Sequence, residues 1–354
     1  MKERSAERKR YQLIFNDGKK ANNAGYKAPQ DVLSAVSDLG FQKIEIDVSY
    51  RFATNRIETG LHYLKTIFQC LTVLARIKKN SILFLQSGTG GGIVRDYVLK
   101  ELKKKRNVTL ITLFHDIETL RGLHIKGEAH FFNLILELSD GIIVHNPKMK
   151  EWFVSQGIYK KNIVSLDIFD YLFTPRQRKR SLKRQVIIAG NLNPQKAKYL
   201  EKIKDIDSEF VLYGPNFDKT VAGENMKYRG TFSPDELPHI LEDGFGLIWD
   251  GDTTETCSGP YGEYLRYNNP HKLSLYLASG LPVFIWKEAA EADFVEKNGV
   301  GYTISSLSDI KLILDSITEN EYRASCEKVD VISSKLIKGY FTKDAVTKLL
   351  DMID

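Results

Sequence analysis

The feature that most constrains this chain is an alternation that it runs through twice. Short apolar segments rich in β-branched and aromatic residues alternate with amphipathic stretches, and one basic segment almost without apolar residues breaks the series. Strands that alternate with helices pair in parallel, because each crossover helix returns the chain to the same end of the sheet. The first series offers strands at QLIFND (from Gln12), KIEIDVS (Lys43), SILFLQSG (Ser81), VTLITLFHD (Val108), GIIVHN (Gly141) and NIVSLDIFD (Asn162). DVLSAVSDLG, IVRDYVLKELKKKR and KMKEWFVSQG read as helices between them, the last opened by Pro147 and closed by glycine. FTPRQRKRSLKR then interrupts with one proline and six basic residues. A second series follows in QVIIAG, EFVLYG, KYRGTF, FGLIWDG and PVFIW, with Ser233 to Glu236 reading as a capping box before the helix DELPHILEDG. The stretch from Glu321 to Asp354 has no strand candidate and reads as two or more helices.

At about 150 residues per domain, 354 residues make about two domains, each able to bury its own core. We expect a basic extension over 1–10, an N-terminal Rossmann-like domain over 11–172, a basic linker over 173–184 and a C-terminal Rossmann-like domain over 185–330; the resemblance given below makes the first the acceptor domain and the second the nucleotide-sugar-binding domain. Residues 331–354 form C-terminal helices, with packing back onto the N-terminal domain left open. The fold class is α/β: two doubly wound sheets facing a cleft, with ligands at the carboxyl ends of the strands. Three widely spaced cysteines, Cys70, Cys257 and Cys326, point to free thiols rather than a disulfide framework or zinc site. No apolar run approaches the roughly 18 to 20 residues that span a bilayer, and the charged start MKERSAERKR lacks the apolar core of a signal peptide. The expected location is therefore the cytoplasm.

Fifty-one Lys and Arg against 45 Asp and Glu give a net charge of +6, held mainly in three runs: KERSAERKR, Lys103 to Arg106, and Arg176 to Arg184. No RNA- or DNA-binding signature stands beside them, so no nucleic acid partner is expected. Peripheral contact with an anionic inner membrane face fits the runs better, since each basic residue near such a surface contributes on the order of 1 kcal/mol. Solvated helix ends and an interdomain linker account for the same charge.

The strongest local signal is NNPHKLSLYLASGLPVFIW, residues 268 to 286. Asn269 and Pro270 open a helix whose first turn carries His271 and Lys272. A helix start offers unpaired N–H groups and about half a positive charge, and the added cation makes a site matched to a diphosphate. An ordinary helix, turn and strand would also produce this pattern. Ala189 to Asn193, including Asn191, and Tyr213 to Asn216 follow two strands and suit close approach of a nucleotide, although each is also plain turn chemistry. Asp250 and Asp252 match the spacing that holds a divalent metal on a diphosphate, but two aspartates about a glycine are common in turns. The polar stretch from Gly251 to Tyr267 has the length of a lid. In the first half, Asn22 to Ala28 reads as a loop over the cleft, with Gly25 giving backbone freedom and Lys27 within reach of a phosphate or sugar. Gln86 to Gly92 resembles a phosphate cradle without the Gly-Lys-Ser/Thr of a P-loop, and is assigned to acceptor binding. His115, Asp116 and Glu118 end a strand as candidates for base catalysis on a sugar hydroxyl, and would equally cap the next helix. Asp140 and His145 flank another strand.

NNAGYKAP, FHDIETLR and YNNPHKLSLYLASGLPVFIW resemble the bacterial galactofuranosyltransferase-like family of GT-B glycosyltransferases, which includes the glucosyltransferases that extend glycans on serine-rich-repeat adhesins. The resemblance covers nearly the whole chain. It implies a hexosyltransferase that moves galactofuranose or glucose from a UDP-sugar to a hydroxyl of a cell-surface polysaccharide, lipid-linked or protein-linked glycan. It further implies Lys272 and His271 at the diphosphate, Tyr213 and Asn191 near the nucleotide, closure by Gly25 to Lys27, and no cofactor or metal requirement. A UDP-sugar epimerase of similar fold and a non-catalytic partner of another glycosyltransferase are the alternatives. A homo-oligomer is expected. The long loop after Gly251 departs from the family pattern, so sugar and acceptor contacts are not carried over.

Overall fold

The computed structural model describes residues 8–16, 24–48, 56–87, 92–122, 127–158, 161–176 and 180–353. In the first half β1 (Arg10–Asn16), α1 (Ala24–Ser37), β2 (Gln42–Asp47), α2 (Arg56–Arg76), β3 (Ile82–Gln86) and α3 (Gly92–Arg106) come first. They are followed by β4 (Thr109–Leu113), α4 (Glu128–Leu138), β5 (Gly141–Val144), α5 (Pro147–Ser155) and β6 (Asn162–Ser165). All six strands are parallel, in the order β2-β1-β3-β4-β5-β6. The central strand β3 is buried at every position, as expected where helices cover both faces of a sheet.

The second half runs β7 (Gln185–Ala189), α6 (Pro194–Ala197), β8 (Glu209–Tyr213), β9 (Met226–Gly230), α7 (Leu237–Ile240), β10 (Phe245–Ile248) and α8 (Gly259–Tyr264). It continues through α9 (His271–Ala278), β11 (Val283–Trp286), α10 (Ala292–Asn298), β12 (Gly301–Ile304), α11 (Asp309–Ser316), α12 (Glu319–Leu336) and α13 (Tyr340–Ile353). Its sheet is also parallel, ordered β12-β11-β10-β7-β8-β9. Strand order reverses between β1 and β3 in one sheet and between β7 and β10 in the other, so each sheet opens a crevice at its carboxyl edge.

Helix α12 lies against α9, whereas α13 returns to the first half and packs on β5, β6 and α1. A Cβ at Gly141 in β5 would stand 2.7 Å from the end of the Leu349 side chain of α13, so the glycine lets that side chain seat directly on the strand. Asp170 accepts from Phe341 N (3.1 Å) and Thr342 N (2.7 Å), capping the start of α13.

Several local expectations differ from the structure. The reciprocal bonds of Ser233 and Glu236 are present, yet the helix behind them is the single turn of α7. Gly251 to Tyr267 is not an open lid, since it contains α8 and buries Cys257 and Tyr264. In the basic linker, Arg180 donates to Gly280 O and pairs with Asp330, and Arg184 donates to Leu314 O and Ile317 O. Those arginines tie the linker to carbonyls of the second half and are not an open basic run. Residues 1–7 and 177–179 of the basic runs lie outside the described residues. Cys70, Cys257 and Cys326 are buried free thiols.

Candidate functional site

A cleft of about 800 Å³ lies between the carboxyl edges of the two sheets and takes lining residues from both. Its second-half wall is built on glycine. Gly190 and Gly214 both sit at φ of 140°, and a Cβ on Gly214 would stand 1.8 Å from Gly190 O. With no side chain between them, the ends of β7 and β8 close on each other through Gly190 N to Tyr213 O (3.0 Å), leaving a floor of bare backbone. Asn191 Oδ1 accepts from Asn216 Nδ2 (2.9 Å) and Asn193 N (3.1 Å), which braces the two turns. Tyr213 is buried beneath them, its hydroxyl facing Glu242.

Helix α9 points its N-terminus into this cleft. Tyr276 locks it down: its ring fills the space above Gly246, where a Cβ would meet the ring at 2.2 Å, and its hydroxyl accepts from Ala189 N (2.7 Å). The anchored helix brings Lys272 to the reversal point between β7 and β10. There Nζ donates to Trp249 O (3.0 Å) and pairs with Asp250 Oδ1 (2.7 Å), while Lys196 Nζ stands 3.6 Å from Asp250 Oδ2. Burial lowers the Lys272 pKa against the pull of Asp250. Two lysines against one aspartate leave a net positive charge beside a helix N-terminus.

The opposite wall comes from the end of β4. His115 Nε2 lies 2.6 Å from Gln86 Oε1, and Gln86 Nε2 donates to Pro29 O (3.2 Å). The carbonyl of Pro29 only accepts, which orients the glutamine amide, assigns the imidazole proton to Nε2 and leaves the lone pair on Nδ1. Asp116, with 48% of its side chain exposed, pairs with Arg121 Nη2 at 2.7 Å. Burial pushes this carboxyl up, but Arg121 and the adjacent histidines outweigh it and hold Asp116 below the usual range. Arg121 Nη1 also donates to both oxygens of Glu118 (3.0 and 2.9 Å), and its guanidinium lies 4.6 Å over the Tyr264 ring. Tyr264 reaches across from α8 to accept Ile117 N at 2.9 Å, so the loop carrying Asp116 is held from the other half.

Asn269 is the principal pin between the halves. Its N donates to His145 Nδ1 (2.9 Å), its Nδ2 to His145 O (2.7 Å) and Asp167 O (3.0 Å), and its Oδ1 accepts from Asn146 Nδ2 (2.7 Å). His271 stacks on Tyr171 at 4.9 Å. Burial drives His115 and His145 down to about 4 and His271 to about 3, so all three rings are neutral at physiological pH.

The structure thus gathers His115, Asp116, Glu118, Asn191, Tyr213, Asn269, His271 and Lys272 around one cleft. Their surroundings refine the roles expected of them. Asn269 spends its amide on the other half, and Glu118 is committed to Arg121. The expected loop at Gly25 and Lys27 is the first turn of α1, and Lys27 is not among the cleft-lining residues. Lys27 is buried, with Nζ on Asp31 (2.7 Å), Leu172 O (2.5 Å) and Asp235 (3.2 Å). Asn22 and Asn23 lie outside the described residues, as do 88–91 of the glycine-rich segment, whose Ser87 lines the cleft. Asp140 sits at the far end of its sheet, accepting from Leu110 N and Lys103. Among the described residues no cluster of three or more His, Cys, Asp or Glu could hold a metal. Sequence reading missed Arg121, Lys196, Asn146 and Tyr264. Arg121 stands three residues after Glu118, a spacing that brings side chains together, whereas nothing local marks Tyr264 as a partner of Ile117.

Two parallel α/β domains facing each other across such a cleft define the GT-B glycosyltransferase architecture. Sucrose-phosphate synthase from Thermosynechococcus elongatus shares this fold at 10% identity and TM-score 0.63, over 98% of this chain and 99% of that one. So does HepE of Anabaena, solved with UDP and glucose, at 13% identity and TM-score 0.58 over 97% and 100%. The N-terminal domain of the glucosyltransferase 3-like family matches residues 10–168 and its C-terminal domain residues 186–349. The β-1,6-galactofuranosyltransferase WbbI of Escherichia coli (strain K12) is 37% identical over 93% of this chain and 95% of its own. Glucosyltransferase 3 of Streptococcus gordonii is 24% identical over 78% and 83%. The chain belongs to the glucosyltransferase 3-like family of glycosyltransferases.

Proposed function

We propose that the protein transfers a hexosyl group, galactofuranose or glucose, from a UDP-sugar to a hydroxyl of a cell-surface polysaccharide, lipid-linked or protein-linked glycan. The observation that carries this reading is Lys272, set at the N-terminus of α9 beside Lys196, facing Asp116 across the cleft. The bare backbone of Gly190 and Gly214 lets a nucleotide lie close, with Tyr213 and Asn191 near it. Its diphosphate meets the N–H groups of α9 and Lys272, which stabilise charge as the sugar leaves. Asp116, ionised because of Arg121, accepts the hydrogen of the incoming hydroxyl, while His115 offers Nδ1 beside it. The lysines already neutralise Asp250, so the diphosphate is held without a metal. WbbI and glucosyltransferase 3, by their names, supply the two sugars considered.

Titration calorimetry with UDP, UDP-glucose and UDP-galactofuranose tests the donor without knowledge of the acceptor. We expect micromolar UDP binding that weakens at least about tenfold in Lys272→Ala, about 1.4 kcal/mol, with turnover down about a hundredfold. Absence of UDP binding by the folded protein, or wild-type affinity and turnover in Lys272→Ala, overturns the assignment.

A further inference from the structure

Helix α2 is apolar on two opposite sides. Thr66, Cys70, Val73 and Ile77, at and just past its end, face the sheet and are buried. Leu61, Leu64, Phe68 and Leu71, spaced three and four apart, form a second stripe turned to solvent, with Phe68 72% exposed. A surface helix ordinarily keeps one apolar stripe toward the core and a polar face toward water, so a second apolar stripe calls for a cover of its own. The stripe continues onto the neighbouring α3, where Ile93 is 87% exposed and Tyr97 half-exposed.

Further along the same face of α3 stand Lys100 and Lys104, seven and eleven residues after Ile93, and α2 ends on Arg76. All three are exposed and make no ion pair among the described residues. Among the described side chains this face carries no free carboxylate: residues 60–76 contain none, and Asp96 and Glu101 of α3 are largely buried and paired with Arg95 and Lys105. A second copy docked through this face would set cations against cations. An anionic bilayer matches both components, taking the aliphatic and aromatic side chains below its headgroups and the lysines at its phosphates.

We propose that the outward face of α2 and α3 is the surface by which this protein lies on an anionic membrane. No helix among the described residues is long and apolar enough to cross a membrane, so contact is along the surface. In a parallel sheet the helices begin at the carboxyl edge, and α3 starts five residues after the cleft-lining Ser87. The membrane face therefore begins beside the cleft mouth, where a lipid-linked substrate would present its head.

Flotation of the full chain with vesicles of phosphatidylglycerol and phosphatidylcholine, against pure phosphatidylcholine, tests this without any sugar nucleotide. Failure here leaves the donor assignment untouched, and failure of UDP binding leaves this proposal untouched. We expect flotation only with the anionic vesicles, weakening as salt rises. Leu64→Ser with Phe68→Ser, and separately Lys100→Glu with Lys104→Glu, should each cut the bound fraction at least tenfold while circular dichroism and UDP affinity stay unchanged. Equal binding by both variants and wild type, or no binding by wild type, overturns the proposal. A loss of dimer mass in the serine variant by light scattering, with no vesicle binding, would assign the face to a second copy instead.

Discussion

Three histidines meet around the ring of Phe169: His115 stacked at 5.4 Å, His145 edge-on at 5.0 Å and His271 at 6.4 Å. Crowded together, His145 buried and the other two in the cleft wall, they stay neutral down to about pH 4 or below, whereas an unfolded chain protonates them near 6.5. The unfolded state therefore binds more protons between about pH 4 and 6.5, and the stability these residues contribute is lost as pH falls through that window. His145→Gln should flatten the dependence of unfolding free energy on pH there by up to about 1.4 kcal/mol per pH unit. Urea melts of variant and wild type at pH 4.5, 5.5 and 6.5 measure it, and an unchanged slope would mean that His145 is protonated in the fold. Nothing in the sequence marks this neutrality. Histidines 30 and 126 residues apart acquire it because one aromatic ring and two domains enclose them.

At the scale of elements, turns and caps decide how the walls of the cleft meet. Gly214→Ala would drive a methyl into Gly190 O at a backbone angle that L-residues rarely adopt. We expect a loss of about 2 to 4 kcal/mol in chemical unfolding, together with weaker UDP binding, and near-wild-type values for both would remove the glycine floor from the site. Asp170 is a second case, since it holds two N–H groups at the start of α13. Burial raises its carboxyl to about 6. Asp170→Asn, which keeps an accepting oxygen, should cost less than Asp170→Ala, for which we expect about 1 to 2 kcal/mol. Proteolysis that reached the α13 junction equally in both variants would contradict this. Strands were legible in the sequence because parallel strands covered on both faces read as unbroken apolar runs, as in ILFLQ and VFIW. The half-exposed edge strand β12 lacked that mark, and α2 lacked the one-sided pattern of an ordinary surface helix.

Across the whole molecule, the two halves are fastened by groups that hold the site in shape. Tyr264→Phe removes the acceptor for Ile117 N, next to Asp116, without touching the Lys272 wall. A buried N–H left unpaired costs about 1 to 3 kcal/mol, so the loop should shift and kcat fall about fivefold or more while UDP affinity holds. Equal loss of both would show a general loosening instead. The pairing of Asp250 with Lys272 and Lys196 leads us to expect turnover within about twofold of normal in excess EDTA. Abolition reversed by manganese would return the diphosphate to Asp250 and Asp252.

That this chain builds two parallel α/β layers with a helical end is written in its residue order, because hydrophobic period is a local property of successive side chains. That order also marked the segments that supply the cleft, since glycine and asparagine after a strand, or a lysine in a helix's first turn, stand out in a short window. Folding adds that Asn269 serves as a pin, that Glu118 is held by Arg121, that Lys27 is buried against Asp31 and Leu172 O, and that α2 keeps an apolar face toward solvent. Those outcomes depend on which groups arrive from the other half of the chain. Burial, pairing and charge belong to the assembled surroundings rather than to any residue alone.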